Sequence, residues 1–530
     1  MKFNTPRTAV SAAALGLAAA VILTGCAPEG STPDNSASAD ALLIGTTDAI
    51  VSLDPAGAWD RGSFTPQNQI YQRLLGYEPG NVTPVPDAAE SCEFTEPTVY
   101  TCIVKDGLTF SNGNELTAED VVFSFNRVTT INLESGPAPL LANLDKVEEG
   151  DNNSVVFTLK VANDQTWPYV LTSMAAPIVD SEVFPADKLL EDSQVVGSGP
   201  YIIDAYEKGG LLSLKANPSY DGSAPVTENV VLKPYTDSSN LRLDIQNGAI
   251  DVAYRSLTST DIGDLSKNDD LQVVQGPGGS VRFLTFNLNT QPGADDAQKL
   301  AIRQAAASLI DRDALADDVF NGTYTPAYSV VLDGQNGATQ AFKERFGETP
   351  NAEQAKQILA DAGVQTPVSL PIQYTSDHYG PDSEQEYGQI KSQLEADGLF
   401  TVDLQTTEWT SYVKRLNPET GYPAFQLGLF PDYPDPDNFL RVTYSTTGSS
   451  LGNGFSDPAV DALIEKQATE ADPAARTATI EEIQALVADS ASVIPLLQGQ
   501  ETVVAKKNVT GLEDTLDDTY KFRFAALGRS

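Results

Sequence analysis

The spacing of apolar residues changes character near residue 289. Before that point short apolar runs alternate with polar positions at the two-residue period of strands, as in "TVYTCIVKDGLTF", "SVVFTLKV" and "GPYIIDAYEKGGLLSLKANPSYDG". The last predicts a hairpin turning at Gly209-Gly210. Helices are expected over "TPQNQIYQRLLGY" and over "LTAEDVVFSFNRV", where Thr117 can cap and Asp120 takes the third helical position. The strand series closes near "VRFLTFNLN", Val281 to Asn289. Beyond it "DDAQKLAIRQAAASLIDRDAL" carries helical spacing. "NAEQAKQILADAG" and "SEQEYGQIKSQLEADG" each show an N-cap, a Gln or Glu three residues on and a terminal Gly. Strand runs "VSLPIQY", "FTVDLQTT" and "AFQLGLF" separate these helices, which predicts an α/β lobe with a largely parallel sheet. Two more helices follow, the second opening on Pro473, and "ASVIPLLQGQETVVAKK" returns to strand character.

One break in this pattern is abrupt. In "LGLFPDYPDPDNFL" the apolar strand stops at Pro431, and Asp432, Asp435 and Asp437 alternate with Pro434 and Pro436. Proline fixes φ and removes a donor, so neither helix nor inner strand continues through this corner. In open α/β sheets ligands bind beyond the carboxyl ends of strands, and Asp432 stands just past such an end.

A chain of 530 residues exceeds one hydrophobic core, so two or three lobes are expected. Its 73 acidic and 33 basic residues leave a net charge of −40, which repels nucleic acid and anionic lipid headgroups. At the start, Lys2 and Arg7 precede "TAVSAAALGLAAAVIL", the pattern of a signal peptide over residues 1–25. The run ends in "LTGC", a lipobox whose Cys26 is the expected lipidation site, with residues 26–41 as a polar tether. The alternative is an ordinary cleaved signal with an incidental cysteine. Cys92 and Cys102 remain, on two strands either side of a turn at Glu96-Pro97. In an oxidising compartment they are expected to form a disulfide; a reduced pair in the core is the alternative.

The residues offer little for covalent chemistry. A single histidine, His378, lacks a nucleophile-elbow context. There are too few His and Cys for a zinc site, no phosphate loop and no dinucleotide fingerprint. "GPGGS", Gly276 to Ser280, reads as a turn between strands, and the three aspartates of the corner do not match a calcium loop. No catalytic residue, metal or cofactor is expected.

Several stretches together resemble the extracytoplasmic solute-binding proteins of ABC importers, family 5, the oligopeptide and dipeptide-binding class. They are "GLTFSNGNELTAEDVVFSFNRV", "VGSGPYII", "LSLKANPSYDG", "LDIQNGAIDVAY", "FLTFNLN…LAIRQAAASLIDRDAL" and "LGLFPDYPDPDNFL". The resemblance implies an α/β, two-lobed clamp of mixed sheets flanked by helices. The first lobe would join a main domain of about 42–84, 190–285 and 501–530 to a small extra domain of about 85–189; the second would be about 286–500. The chain would cross between lobes near 286 and near 500. It also implies a monomeric receptor, lipid-anchored outside the cell membrane, that captures a small peptide and delivers it to a permease and ATPase complex. Nickel chelates, sugars or opines are alternative ligands within the family; a secreted hydrolase is the alternative outside it.

The family's α-amino-binding aspartate would be Asp432, followed by Tyr433; the bland reading is an Asp-Pro turn former. Trp409 matches a tryptophan that lines a side-chain pocket, with a core aromatic as the alternative. Gly428 and Phe430 would pair with peptide backbone, and a loop around Ser63 and Phe64 would supply the opposite strand. Some members place an arginine for the ligand carboxylate six residues before the aspartate, where this chain has Gln426; Arg415 is the nearby substitute. His378 and Tyr379 lie in a segment that approaches the pocket in relatives.

Overall fold

The computed structural model of the chain describes residues 40–255, 257–375, 378–380 and 382–530. The expected signal peptide and the expected lipidation site, Cys26, with nearly all of the expected tether, lie outside them. Three sheets organise the described chain. A seven-stranded sheet runs in the order Leu271–Gly276, Glu501–Lys506, Val252–Tyr254, Leu42–Thr46, Asn229–Pro234, Leu212–Ala216, Tyr201–Tyr206. A six-stranded sheet runs Tyr324–Pro326, Val493–Gly499, Val281–Phe286, Ala424–Leu429, Val368–Tyr374, Phe400–Thr406. The small four-stranded sheet, Ala89–Glu96, Val99–Val104, Ser154–Leu159 and Leu144–Glu149, is antiparallel throughout. Cys92 faces Cys102 across its first hairpin, and the two sulfurs are bonded at 2.03 Å.

Local signals account for many of the elements. Asp60, Asp237, Asp295, Asp457 and Asp472 each stand just before a helix and accept a backbone N–H from its first turn. An acidic residue there satisfies an otherwise orphaned donor and meets the positive end of the helix, so part of the charge excess is architectural. Thr117 and Asp120 form a capping box on helix Ala118–Ile131. The small sheet is held to the main sheet by Arg127 of that helix, which donates to both oxygens of buried Asp54 at 2.8 and 2.6 Å.

Three sequence expectations need correction. Val281–Phe286 does not close the first lobe. All six of its residues are buried, and it lies at the centre of the six-stranded sheet between Ala424–Leu429 and Val493–Gly499. A strand covered on both faces carries no polar alternation, so its pattern cannot reveal to which sheet it belongs. The chain therefore crosses at residues 277–280, before 286, and again at Gln500. The two crossings touch backbone to backbone: a Cβ on Gly278 would stand 2.0 Å from the carbonyl oxygen of Gly499, which is what the glycines of "GPGGS" permit.

Second, the six-stranded sheet is not largely parallel. Only the pairs made by Val368–Tyr374 are parallel; the others are antiparallel. Val281–Phe286 carries the chain into the lobe and Val493–Gly499 carries it out, so these neighbours run in opposite directions. Third, the first helix spans Arg61–Ile70, earlier than its apolar run suggests, because Asp60 accepts the N–H of Ser63 at 2.9 Å and fixes the start.

Candidate functional site

The corner after strand Ala424–Leu429 sorts its three aspartates. Asp435 caps helix Pro436–Tyr444, with Pro436 at the first helical position, and accepts two hydrogen bonds from Arg476 at 2.7 and 2.9 Å. Asp437 accepts from Arg441 at 3.0 Å and from the Gln467 amide. Both carboxylates thus meet cations inside their own lobe. Asp432 meets none among the described residues. Its Oδ1 accepts the indole N–H of Trp59, from the opposite lobe, at 2.6 Å. Its Oδ2 accepts weakly from Asn438 at 3.4 Å, and its backbone N–H donates to the Asn438 Oδ1 at 3.0 Å. Burial raises its pKa, and the donors from Trp59 and Asn438 only partly offset that.

A cavity of about 590 Å³ opens beside this corner, in the size range of small-molecule sites. Arg255, Ser259 and Glu501 line it from the first lobe; Arg282, Tyr379 and Phe430 line it from the second. The rim is pinned where the Ser259 hydroxyl donates to the Val319 carbonyl at 3.0 Å and lies 3.1 Å from Asp382 Oδ2. At the far side of the corner the Gln165 N–H donates to the Ala468 carbonyl at 2.8 Å, and Tyr169 packs on Tyr433 with ring centroids 6.3 Å apart. The lobes therefore touch at both places, and the cavity lies between them.

Phe430 is 49 % exposed and forms part of the cavity wall. Tyr379 and exposed His378 also line it. Gly428 lies behind Tyr379, whose hydroxyl is 3.4 Å from the Gly428 carbonyl; a Cβ there would stand 3.1 Å from the ring. Trp409 is not a wall of the cavity: its indole lies flat against His378, which is, with centroids 3.7 Å apart. Tyr433 turns away into the apolar cluster of the small sheet.

Four candidates are placed otherwise than the resemblance implies. Gln426 is 1 % exposed; it accepts from the Thr375 N–H and donates to Ser383 and Glu386, beside the buried Arg282–Glu386 ion pair. Its amide is thus tied into this polar knot within the second lobe, where it braces the sheet. Arg415 is exposed and stacks on Tyr422, 4.5 Å from the ring centroid, away from the cavity wall. Ser63 is 0 % and Phe64 5 % exposed, in a helix and not a loop. The Ser63 hydroxyl accepts from the backbone N–H groups of Val51 and Ser52, so it anchors the neighbouring segment. The first lobe's approach to the corner comes instead from Trp59, just before that helix.

Trp59 and Arg255 went unread in the sequence. Trp59 is a large aromatic in a turn, "DPAGAWD", where no periodicity demands one. Arg255 follows the apolar run "DVAY" directly, and no spacing rule separates such a cation from a surface residue.

Comparison with known proteins agrees with this architecture. The family model for bacterial extracellular solute-binding proteins, family 5, matches residues 83–450. The D,D-dipeptide-binding periplasmic protein DdpA of Escherichia coli (a probable assignment) is 25 % identical over 487 residues, covering 89 % of this chain and 91 % of that protein. Heme-binding protein A of Haemophilus influenzae is 26 % identical over 501 residues, covering 88 % of each. The solved structure of HbpA2 from Haemophilus parasuis superposes with a TM-score of 0.80 at 22 % identity, covering 92 % of this chain and 100 % of that one. With a family model spanning more than half its length and a two-lobed fold with a cavity between the lobes, the chain belongs to the bacterial extracellular solute-binding proteins of family 5.

Proposed function

We propose that the cleft takes a small peptide, and that the chain presents it to a membrane permease and its ATPase. Asp432 carries this reading. A half-buried carboxylate held only by neutral donors, at the seam of two lobes, lacks the cation that its neighbours Asp435 and Asp437 each have. A peptide's α-ammonium supplies one, and a hydrogen bond to a charged group contributes about 1.5–3 kcal/mol. Contact from both lobes favours the closed form, so capture shifts an open–closed equilibrium. The lipobox at Cys26 supports anchoring on the outer face of the cell membrane, and the receptor acts as a monomer without covalent chemistry.

The test is mass spectrometry of small molecules released when the purified protein is denatured. Peptides with free amino termini are the expected finding. A sugar, an opine, a metal chelate or a heme in their place overturns the peptide reading, and peptide fragments generated on incubation overturn the absence of chemistry.

A further inference from the structure

Where the chain passes between the lobes, one carboxylate is buried without a counter-charge. Asp518 belongs to the first lobe: Leu516, two residues before it, and Phe522, four after, pack in the apolar cluster of the seven-stranded sheet. Its backbone lies against the first crossing. A Cβ on Gly279 would stand 3.2 Å from the Asp518 carbonyl oxygen and 2.5 Å from the Tyr520 ring, and one on Gly276 would stand 2.3 Å from the Leu516 carbonyl oxygen. Its carboxylate faces the second lobe, where a Cβ on Gly334 would stand 3.4 Å from Oδ2. Gly334 moves with that lobe. Val330, Val331 and Leu332 before it pack with strand Val281–Phe286, and the Asp333 N–H donates to Gln498 Oε1 at 3.0 Å. Asp518 is 7 % exposed, and its Oδ1 has no hydrogen-bond partner among the described residues.

The charged groups around it are matched elsewhere. Asp517 accepts from Arg523 at 2.7 Å and from the Gly80 N–H at 3.1 Å. Glu501, at the second crossing, accepts from Arg61 at 3.0 Å and from Tyr254 at 3.2 Å. Both repel a charge on Asp518. Lys521 is buried over the Tyr77 ring at 5.0 Å, and exposed Asp333 on the facing loop accepts from Gln340 at 2.8 Å. Asp518 has no such partner among the described residues. The second crossing adds little to hold the hinge rigid, since Gln500 Oε1 and Thr502 Oγ1 are also buried without partners.

We propose that Asp518 is a proton-operated latch at the hinge: protonated, it lets the two lobes rest together; ionised, it drives them apart. Gly334 covers the carboxylate only while the lobes hold this arrangement. Separation readmits water, and an ion gains more from water than a neutral acid does. Burial and the two acidic neighbours push the carboxyl up to about 6 here, against 3.8 in water. The group therefore holds its proton more tightly with the lobes together than apart. Closing takes up a proton, so the closed form gains as pH falls through about 6 and loses as pH rises past it. The latch rests on the movement of the lobes and not on which ligand they take.

The experiment is small-angle X-ray scattering from the purified, ligand-free protein at pH 7.5 and pH 5.0. The closed-to-open ratio is expected to be about tenfold higher at pH 5.0, read as a smaller radius of gyration. Asp518→Asn keeps the shape and removes the charge, and is expected to be compact at both pH values. Asp432→Asn is the control, because Asp432 also lies at a seam and burial also raises its pKa. It is expected to contract on acidification as the wild type does. A wild-type radius that is the same at both pH values overturns the latch without any variant. So does an Asp518→Asn protein that contracts like the wild type. Either result leaves the peptide reading standing, because no ligand takes part in the measurement.

Discussion

The two sides of one proline corner handle buried charge in opposite ways. Behind it, Asp435 and Arg476 meet in a two-bond pair, and the Gln467 carbonyl and side chain take further guanidinium hydrogen bonds. In front of it, Asp432 and Arg255 line a seam and a cavity with their hydrogen-bonding capacity partly unused. Both sides are rich in Asp and Arg, so composition does not separate them. What separates them is saturation. A fully matched charge cluster braces a fold, because every desolvated group has its partner. A cluster left short of partners stores a demand that a ligand can meet, and the cost of that demand falls on the empty protein.

The comparison is most sharply broken by Arg476→Ala. Removing one partner of the saturated pair leaves Asp435 buried and alone, and is expected to cost about 3–5 kcal/mol of stability. The urea midpoint measures it, and a loss under 1 kcal/mol would count against a bracing role. Asp432→Asn should do the reverse: stability nearly unchanged and affinity for free-amine peptides reduced by about 2–5 kcal/mol, read by calorimetry. Because burial raises the pKa of Asp432, peptide affinity should also weaken on acidification at a higher pH than an ordinary aspartate would give. The Asn variant should lack that step.

Another under-matched carboxylate sharpens the contrast. Asp518 lies beside Gly279 of the first crossing segment, its Oδ1 buried without a partner among the described residues, and its pKa is pushed up to about 6 by burial, with Asp517 and Glu501 adding repulsion. Its folded value lies above the unfolded one near 3.8, so the folded protein holds an extra proton between the two and gains stability as pH falls through about 6. Asp518→Asn is therefore expected to stabilise the protein at pH 7.5 by on the order of 1–3 kcal/mol, an advantage that fades as pH drops toward 4. Denaturation at the two pH values checks both the sign and the window. The smallest effect is expected from Trp59→Phe, which removes the indole donor to Asp432. It should weaken peptide binding by about 0.5–1.5 kcal/mol and leave the melting temperature in place.

Most elements were legible along the chain because their causes are local. Thr117 with Asp120, Asn351 before "AEQ", Pro473 after Asp472 and the Gly209-Gly210 turn each act within a few residues, and the structure has its helices and hairpin there. The site was legible in part. The corner could be found because prolines stop a strand in a way that nothing else in the chain imitates. The opposite wall could not: Ser63 and Phe64 belong to a helix whose buried face looks much like a strand's, and Trp59 differs from them only in where the fold directs it.

By itself, then, the sequence determined the order of the elements, the stiff acidic corner and the likeness to a family of two-lobed receptors, since φ restriction, capping and apolar period are properties of neighbours in the chain. Only the tertiary structure decided which carboxylates find cations, that Val281–Phe286 belongs to the second sheet, and that Arg255 meets Phe430 across a gap. Those outcomes join residues far apart in the chain, where packing and desolvation choose among charges that the sequence leaves equivalent.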